Sequence, residues 1–184
     1  MPRCDQLVYA YAMRYTIRKT YCWGSDLAYL VGLIASDGCL SKDCRHIALV
    51  SKDKEIIDHS QKILDAHHKV TTKMGGFQTE AFQLQFSDVA LYDFLLAAGL
   101  TPAKSKTIPA LDVPDAYYPD FLRGYFDGDG TVYGYRDIRW KNSYMYYSAF
   151  TGASPSFLDW LRAQNSRLAL TIPQSLSRAL GLFR

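Results

Sequence analysis

The feature that most constrains this chain is a nine-residue pattern that occurs twice. LVGLIASDG runs from Leu30 to Gly38, and LRGYFDGDG from Leu122 to Gly130. Each is an apolar run with an embedded glycine, ending in Asp-Gly. Aligned end to end, they place Gly32 over Gly124, Ser36 over Gly128 and Asp37 over Asp129. With Ala28 added upstream, small residues recur at every fourth position of the first copy. On a helix such residues share one face, about 6 Å apart per step. A glycine inside a helix costs about 1 kcal/mol relative to alanine, so its use there needs a reason. Close approach of two helix backbones is such a reason. Two helices packed along these faces bring the carboxylates of Asp37 and Asp129 together at their C-terminal ends. The alternative is two unrelated core helices, each stopped by a glycine.

Between the copies the periodicities alternate. Residues 1–25 read as an N-terminal extension rich in tyrosine and basic residues (Tyr9, Tyr11, Arg14, Arg18), a solvated arm or a DNA-touching one. Trp23-Gly24-Ser25-Asp26 reads as a turn carrying a helix N-cap. After Gly38 comes a hairpin with a polar turn at Ser41-Lys42-Asp43 and a strand over Arg45 to Ser51. Lys54 to His68 has apolar residues at helical spacing, with His67 and His68 expected at its C-terminal end, where cationic residues suit the helix dipole. A second hairpin pairs Lys69–Met74 with Ala81–Ser87 around Gly75-Gly76, and Asp88 caps a helix from Val89 to Ala98 that stops at Gly99. In the second half, Thr131–Ile138 and Ser143–Gly152 form a hairpin, and Ser154 or Ser156 caps a helix through Phe157 and Leu161. A complete repeat of the first half needs a further hairpin and helix, and Leu168 to Arg184 offers one apolar segment.

The paired patterns resemble the two signature motifs of the single-chain LAGLIDADG homing endonucleases, over Asp26 to about Leu168. The first copy departs from the consensus at Val31, Ala35 and Ser36, and the second at Arg123, Tyr125, Phe126 and Gly128. The resemblance implies an α+β fold: two pseudo-symmetric αββαββα-type repeats forming a saddle-shaped antiparallel sheet under helices, over residues 26–116 and, truncated, 117–184. It implies site-specific hydrolysis of double-stranded DNA with Mg²⁺ or Mn²⁺. Asp37 and Asp129 would be the ligands, helped by the main-chain carbonyls of Ser36 and Gly128. A lysine before Ile-Pro resembles the family's catalytic lysine; Lys106 matches by position, with Lys104 as the alternative. Asp127 has Ala35 at the corresponding place and reads as structural. RNA-splicing maturases, which would make intron RNA a partner, and non-cleaving DNA-binding relics share the scaffold.

Two carboxylates at adjoining helix ends suit a hard divalent ion that keeps waters and substrate phosphates as its other ligands. In the second hairpin Gln83, Gln85 and Ser87 alternate with Phe82, Leu84 and Phe86, and Lys69, Thr71 and Lys73 alternate with Val70, Thr72 and Met74. That polar face is either solvated surface or a reader of base edges and phosphates. Lys42 and Arg45 in the first half, with Arg136, Arg139 and Lys141 in the second, complete the basic set expected at a phosphate-lined groove.

Composition narrows the classes. At 184 residues and 48% hydrophobic, the chain can bury a core, and no apolar run approaches the roughly 20 residues of a membrane span. A net charge of +3 permits nucleic-acid binding. The N-terminus has no signal-peptide character, so an intracellular monomer with reduced thiols at Cys4, Cys22, Cys39 and Cys44 is expected. A zinc site from Cys39, Cys44 and His46 has the wrong spacing.

Overall fold

The computed structural model describes residues 19–65, 67–74, 80–136, 138–139 and 143–168. The N-terminal arm before Lys19, the Gly75-Gly76 turn, Asp137, Lys141 and the segment after Leu168 lie outside the described residues.

The architecture is built on two helices. Helix α1 (Ser25–Asp37) is buried without interruption from Leu27 to Ala35, as an all-apolar helix must be. Gly24 takes its N-cap position, its carbonyl accepting from the Ala28 N–H at 2.8 Å. Helix α4 (Tyr118–Asp129) carries Pro119 in its first turn and packs along α1. Their backbones meet at the paired glycines. A Cβ built on Gly32 would lie against the Phe121 carbonyl and 2.7 Å from the Tyr125 nitrogen. One built on Gly124 would lie against the Tyr29 carbonyl, 2.9 Å from its carbon and 3.1 Å from the Leu33 nitrogen. Backbone cannot yield as a side-chain tip can, so only glycine fits either place.

The first half continues through β1 (Gly38–Leu40), β2 (His46–Ser51), α2 (Lys54–Leu64), β3 (Val70–Met74), β4 (Glu80–Ser87) and α3 (Val89–Ala97). The strands form an antiparallel sheet in the order β1-β2-β4-β3. Ile47, Leu49, Leu84 and Phe86 point from it into the core that α1 traverses. Helix α2 is shorter than its periodicity predicts. Asp65 adopts the left-handed conformation (φ 47°, ψ 48°) and ends it, so His67 and His68 fall beyond its last turn. His68 instead stacks on Phe86 with centroids 4.9 Å apart. Asp88 caps α3 as expected, accepting from the Leu91 N–H at 2.9 Å. At the other end Gly99 (φ +101°) lets the Leu100 N–H return to the Leu95 carbonyl, a left-handed stop that glycine adopts without strain.

The second half begins like the first: α4 runs directly into β5 (Gly130–Arg136), which pairs with β6 (Tyr144–Phe150) before α5 (Pro155–Arg167). Among the described residues this sheet has two strands. Ser154 stands at the N-cap of α5 but makes no capping bond; its hydroxyl donates to the Ile108 carbonyl at 2.8 Å. Helix α5 closes the core through Phe157 against Tyr125 and Trp160 against Phe121, with centroids 5.0 and 5.8 Å apart. The fold is α+β, with antiparallel sheets and helices. No described helix is long and apolar enough to cross a membrane. Cys22 and Cys39 are free thiols.

The glycine contact generates a stability prediction. Gly32→Ala and Gly124→Ala should each destabilise by about 1–3 kcal/mol or more through overpacking against backbone. Gly24→Ser, where nothing lies within 4 Å of a built Cβ and serine suits an N-cap, should match or slightly exceed the parent. Urea unfolding of the three variants checks this; a Gly124→Ala protein as stable as the parent contradicts the backbone contact.

Candidate functional site

Both central helices end in the same way. Asp37 and Asp129 are the last helical residues, and the following glycine N–H closes on the carbonyl of Ile34 or Phe126. Near these ends the small residues matter again. A Cβ on Gly128 would lie against the Ser36 hydroxyl, 2.6 Å from the Ser36 Cβ and 3.3 Å from Asp37 Oδ2. The backbone of α4 thus lies beside the Asp37 carboxylate, and both aspartates are half-buried.

Their electrostatics follow from that position. Burial, then repulsion from Asp129, raises the Asp37 carboxyl above its ordinary value, with Lys104 pulling it back. Burial raises Asp129 likewise, again opposed by Lys104. Burial lowers the Lys104 ammonium, while Cys39, Asp129 and Asp37 hold it up. Lys104 is only 4% exposed, and its Nζ is 3.5 Å from the Ser36 carbonyl. The site is therefore two carboxylates sharing one buried cation.

The two loop lysines are placed differently. Ala103 takes the left-handed conformation (φ 58°, ψ 31°) and starts a 3₁₀ turn over Lys104–Lys106. At about three residues per turn, side chains two apart point in different directions. Lys104 turns inward to the aspartates, and Lys106 is exposed.

Asp127 is engaged elsewhere. Its carboxylate accepts from the Tyr29 hydroxyl at 2.8 Å, and Arg123 sits over the Tyr29 ring at 4.6 Å, bracing α4 against α1. Two cavities flank the aspartate pair. One of about 480 Å³ is lined by Asp37, Ser51, Lys52, Asp53, Asp127 and Gly128. The other, of about 380 Å³, is lined by Ser36, Ser105, Asp129, Thr151 and Ser154 among others. Thr151 is tied to the end of α4, its N–H and hydroxyl donating to the Asp129 carbonyl at 3.2 and 2.7 Å. Among the described residues no three His, Cys, Asp or Glu side chains are grouped to hold a metal. A pair of hard carboxylates that repel one another, beside a helix-end carbonyl, still fits a magnesium-like ion, which takes one or two protein carboxylates and leaves other positions to water or phosphate.

The sheet register sorts the remaining candidates. With Ile47, Leu49, Leu84 and Phe86 inward, the opposite face carries Cys39 and Ala48 beside Gln85, then Val50 and Thr71 beside Gln83. Lys69, Thr71 and Lys73 are exposed at the β3 edge, and Lys42 and Arg45 are exposed at the β1–β2 turn. Arg45 pairs with Asp43 at 3.7 Å. Gln83 departs from expectation: it is 6% exposed, in the inner strand β4, and its Nε2 donates to Gln85 Oε1 at 3.2 Å. Only Gln85 of the two is exposed.

In the second sheet Phe150 faces α4, packing on Phe126 with centroids 5.3 Å apart, so the alternate residues turn away. Those include Tyr133 and Tyr135, which stack on either side of Tyr147 at 5.3 and 5.0 Å. Register puts Arg136, opposite Tyr144, on the Phe150 side at the far end of the strand, away from the tyrosine face. Arg139 is exposed beyond it, and Lys141 lies outside the described residues. The Tyr-x-Tyr spacing was visible in the sequence, but its cross-strand partner was not.

No protein-family model matches the chain, and no curated protein matches it. Solved structures that resemble it in part include these three. Full-length DUF199/WhiA from Thermatoga maritima has 16% identity and a TM-score of 0.41 over 60% of this chain and 36% of its own. The homing endonuclease I-WcaI bound to its DNA recognition sequence has 14% identity and a TM-score of 0.41 over 75% and 62%. Mesophilic variants of the homing endonuclease I-DmoI have 17% identity and a TM-score of 0.36 over 58% and 59%. The chain matches less than two thirds of the length of each.

The carboxyl pair has a stability signature. Each acid holds its proton more tightly folded than unfolded, so stability falls as pH rises from 3.8 through the folded pKa. Without divalent metal, Asp37→Asn and Asp129→Asn should therefore melt higher than the parent at pH 7, the difference closing toward pH 3.8. Melting curves in chelator across that range check it. An asparagine variant no more stable than the parent at pH 7 contradicts the repulsive, buried pair.

Proposed function

We propose that this chain is a metal-dependent DNA endonuclease of the LAGLIDADG homing endonuclease kind, hydrolysing both strands of a long duplex target. The observation that carries this reading is the meeting of Asp37, Asp129 and Lys104 at the ends of two helices packed backbone to backbone. The sequence resemblance in the two motifs supports it, as does the polar outer face of the first sheet.

The roles follow from position. Asp37 and Asp129 would hold Mg²⁺ or Mn²⁺, with the main-chain carbonyls of Ser36 and Gly128 as further oxygens. A bound divalent ion neutralises phosphodiester charge and lowers the pKa of an attacking water. Lys104 supplies a positive charge that requires no reorganisation as negative charge builds on the phosphate, and its buried stem keeps it aimed. Water attack on phosphorus breaks the bond to O3′, leaving a 3′-hydroxyl and a 5′-phosphate. The two halves place one aspartate each toward one strand, which gives staggered cuts across the minor groove with 3′ overhangs. Asp127 keeps α4 against α1 through Tyr29 and is not a ligand. Lys42, Arg45, Lys69 and Lys73 contact phosphates, while Arg136 contacts the duplex only at the hairpin's end.

The test is incubation with DNA spanning the insertion site of its own gene, with Mg²⁺, followed by mapping of cut ends. Asp37→Asn and Asp129→Asn should abolish cleavage and preserve binding. Lys104→Met should lose about 10²–10³-fold in rate, and Lys106→Met should stay near the parent. Binding without cleavage by the parent would favour a DNA-binding relic, and binding of intron RNA in preference to duplex would favour a maturase. Equal loss in both lysine variants would remove Lys104 from its role.

A further inference from the structure

We infer that Gln85 is the base-reading glutamine of the outer sheet face and that Gln83 is its positioning residue, turning the Gln85 amide so that it selects guanine. This rests on the duplex-binding reading above and goes beyond it to the specificity of one position.

The argument starts from register. Gln83 lies opposite Val50 on one flanking strand and Thr71 on the other, which shade it to 6% exposure. Its amide is therefore recessed below the surface a base edge could reach. Gln85 lies two residues on, on the same face, opposite the small Ala48 and beyond the last paired residue of β3, Val70. It is exposed.

The hydrogen bond between them fixes the polarity. Gln83 Nε2 donates to Gln85 Oε1 at 3.2 Å, so the Gln85 oxygen is turned inward. The Gln85 Nε2, with no protein partner among the described residues, is left as the outward group. An isolated glutamine offers both a donor and an acceptor and pairs with adenine. A glutamine held by its oxygen offers donors only. In the major groove guanine presents two adjacent acceptors, N7 and O6. Adenine pairs its N7 with an amino donor, thymine offers O4 beside a methyl, and cytosine offers a donor. The order of preference is guanine first and cytosine last.

The measurement is selection of bound duplexes from a randomised library, without divalent metal, using the full chain. The parent should favour guanine over cytosine roughly tenfold at one position, as for a good base contact, and 7-deazaguanine there should weaken binding. Gln85→Ala should flatten that position alone. Gln83→Glu, which can only accept, should turn the Gln85 Nε2 inward and its oxygen outward, moving the preference toward cytosine and adenine. Should a buried carboxylate prevent folding, as melting would show, Gln83→Leu carries the test: it frees the amide and should move the same position from guanine toward adenine. The assignment is overturned if Gln83→Leu leaves the guanine preference intact, or if the two glutamines control different positions. A parent that enriches no sequence at all defeats the duplex-binding reading itself, an outcome distinct from enrichment with the wrong dependence on Gln83.

Discussion

The structure depends on a contact in which two helices touch through their peptide groups. At Gly32 and Gly124 a single methyl would enter the partner's backbone. Dispersion between closely packed backbones is individually small, but the contact removes the usual side-chain layer between helices, and every neighbouring residue inherits the shorter separation. Ser36 and Gly128 sit close for that reason, and Asp37 is carried to within reach of α4. A helix pair with ordinary side chains between its axes would hold the same aspartates several ångströms farther apart.

That proximity is unfavourable for folding. Burial raises both carboxyls, repulsion from Asp129 adds to the rise at Asp37, and burial lowers Lys104 beside them. The core of the first half offsets this strain: α1 is buried along its length, with Ile47, Leu49, Leu84 and Leu91 fully buried around it. Groups that destabilise the free protein and are positioned by a rigid scaffold are what an ion and a phosphate chain would relieve. The site and the stability of the fold pull in opposite directions, and the glycine contact enforces the compromise.

Much of this was legible in the sequence, because the determinants are local or repeated. The duplicated motif gave the helix pair and its shared end, Asp88 and Gly99 marked the limits of α3, and alternation in β4 separated Phe82, Leu84 and Phe86 from the glutamines. What was hidden depends on non-local placement. Lys104 and Lys106 differ in burial because Ala103 enters the left-handed region and resets the turn, a conformation that alanine seldom adopts. Gln83 is shaded because β4 lies between β2 and β3, and strand order is decided by long-range pairing. Arg136 faces the Phe150 side because register with β6 sets its face.

The two halves show how little of each repeat the site requires. In the first, Leu40 lies two residues after Gly38 and is 2% exposed beneath the helices. Val132 stands at the matching place after Gly130 and is 64% exposed, with Tyr144 and Tyr146 on the same side at 52% and 67%. Yet Asp129 also ends its helix beside a glycine turn, its position coming from α4, from the Gly130 turn into β5, and from Thr151 bonded to its carbonyl. The geometry of the carboxyl pair is thus insulated from the outer part of either sheet. Sheet surface can diverge between halves, as it has between the glutamine face and the tyrosine face, without moving the aspartates.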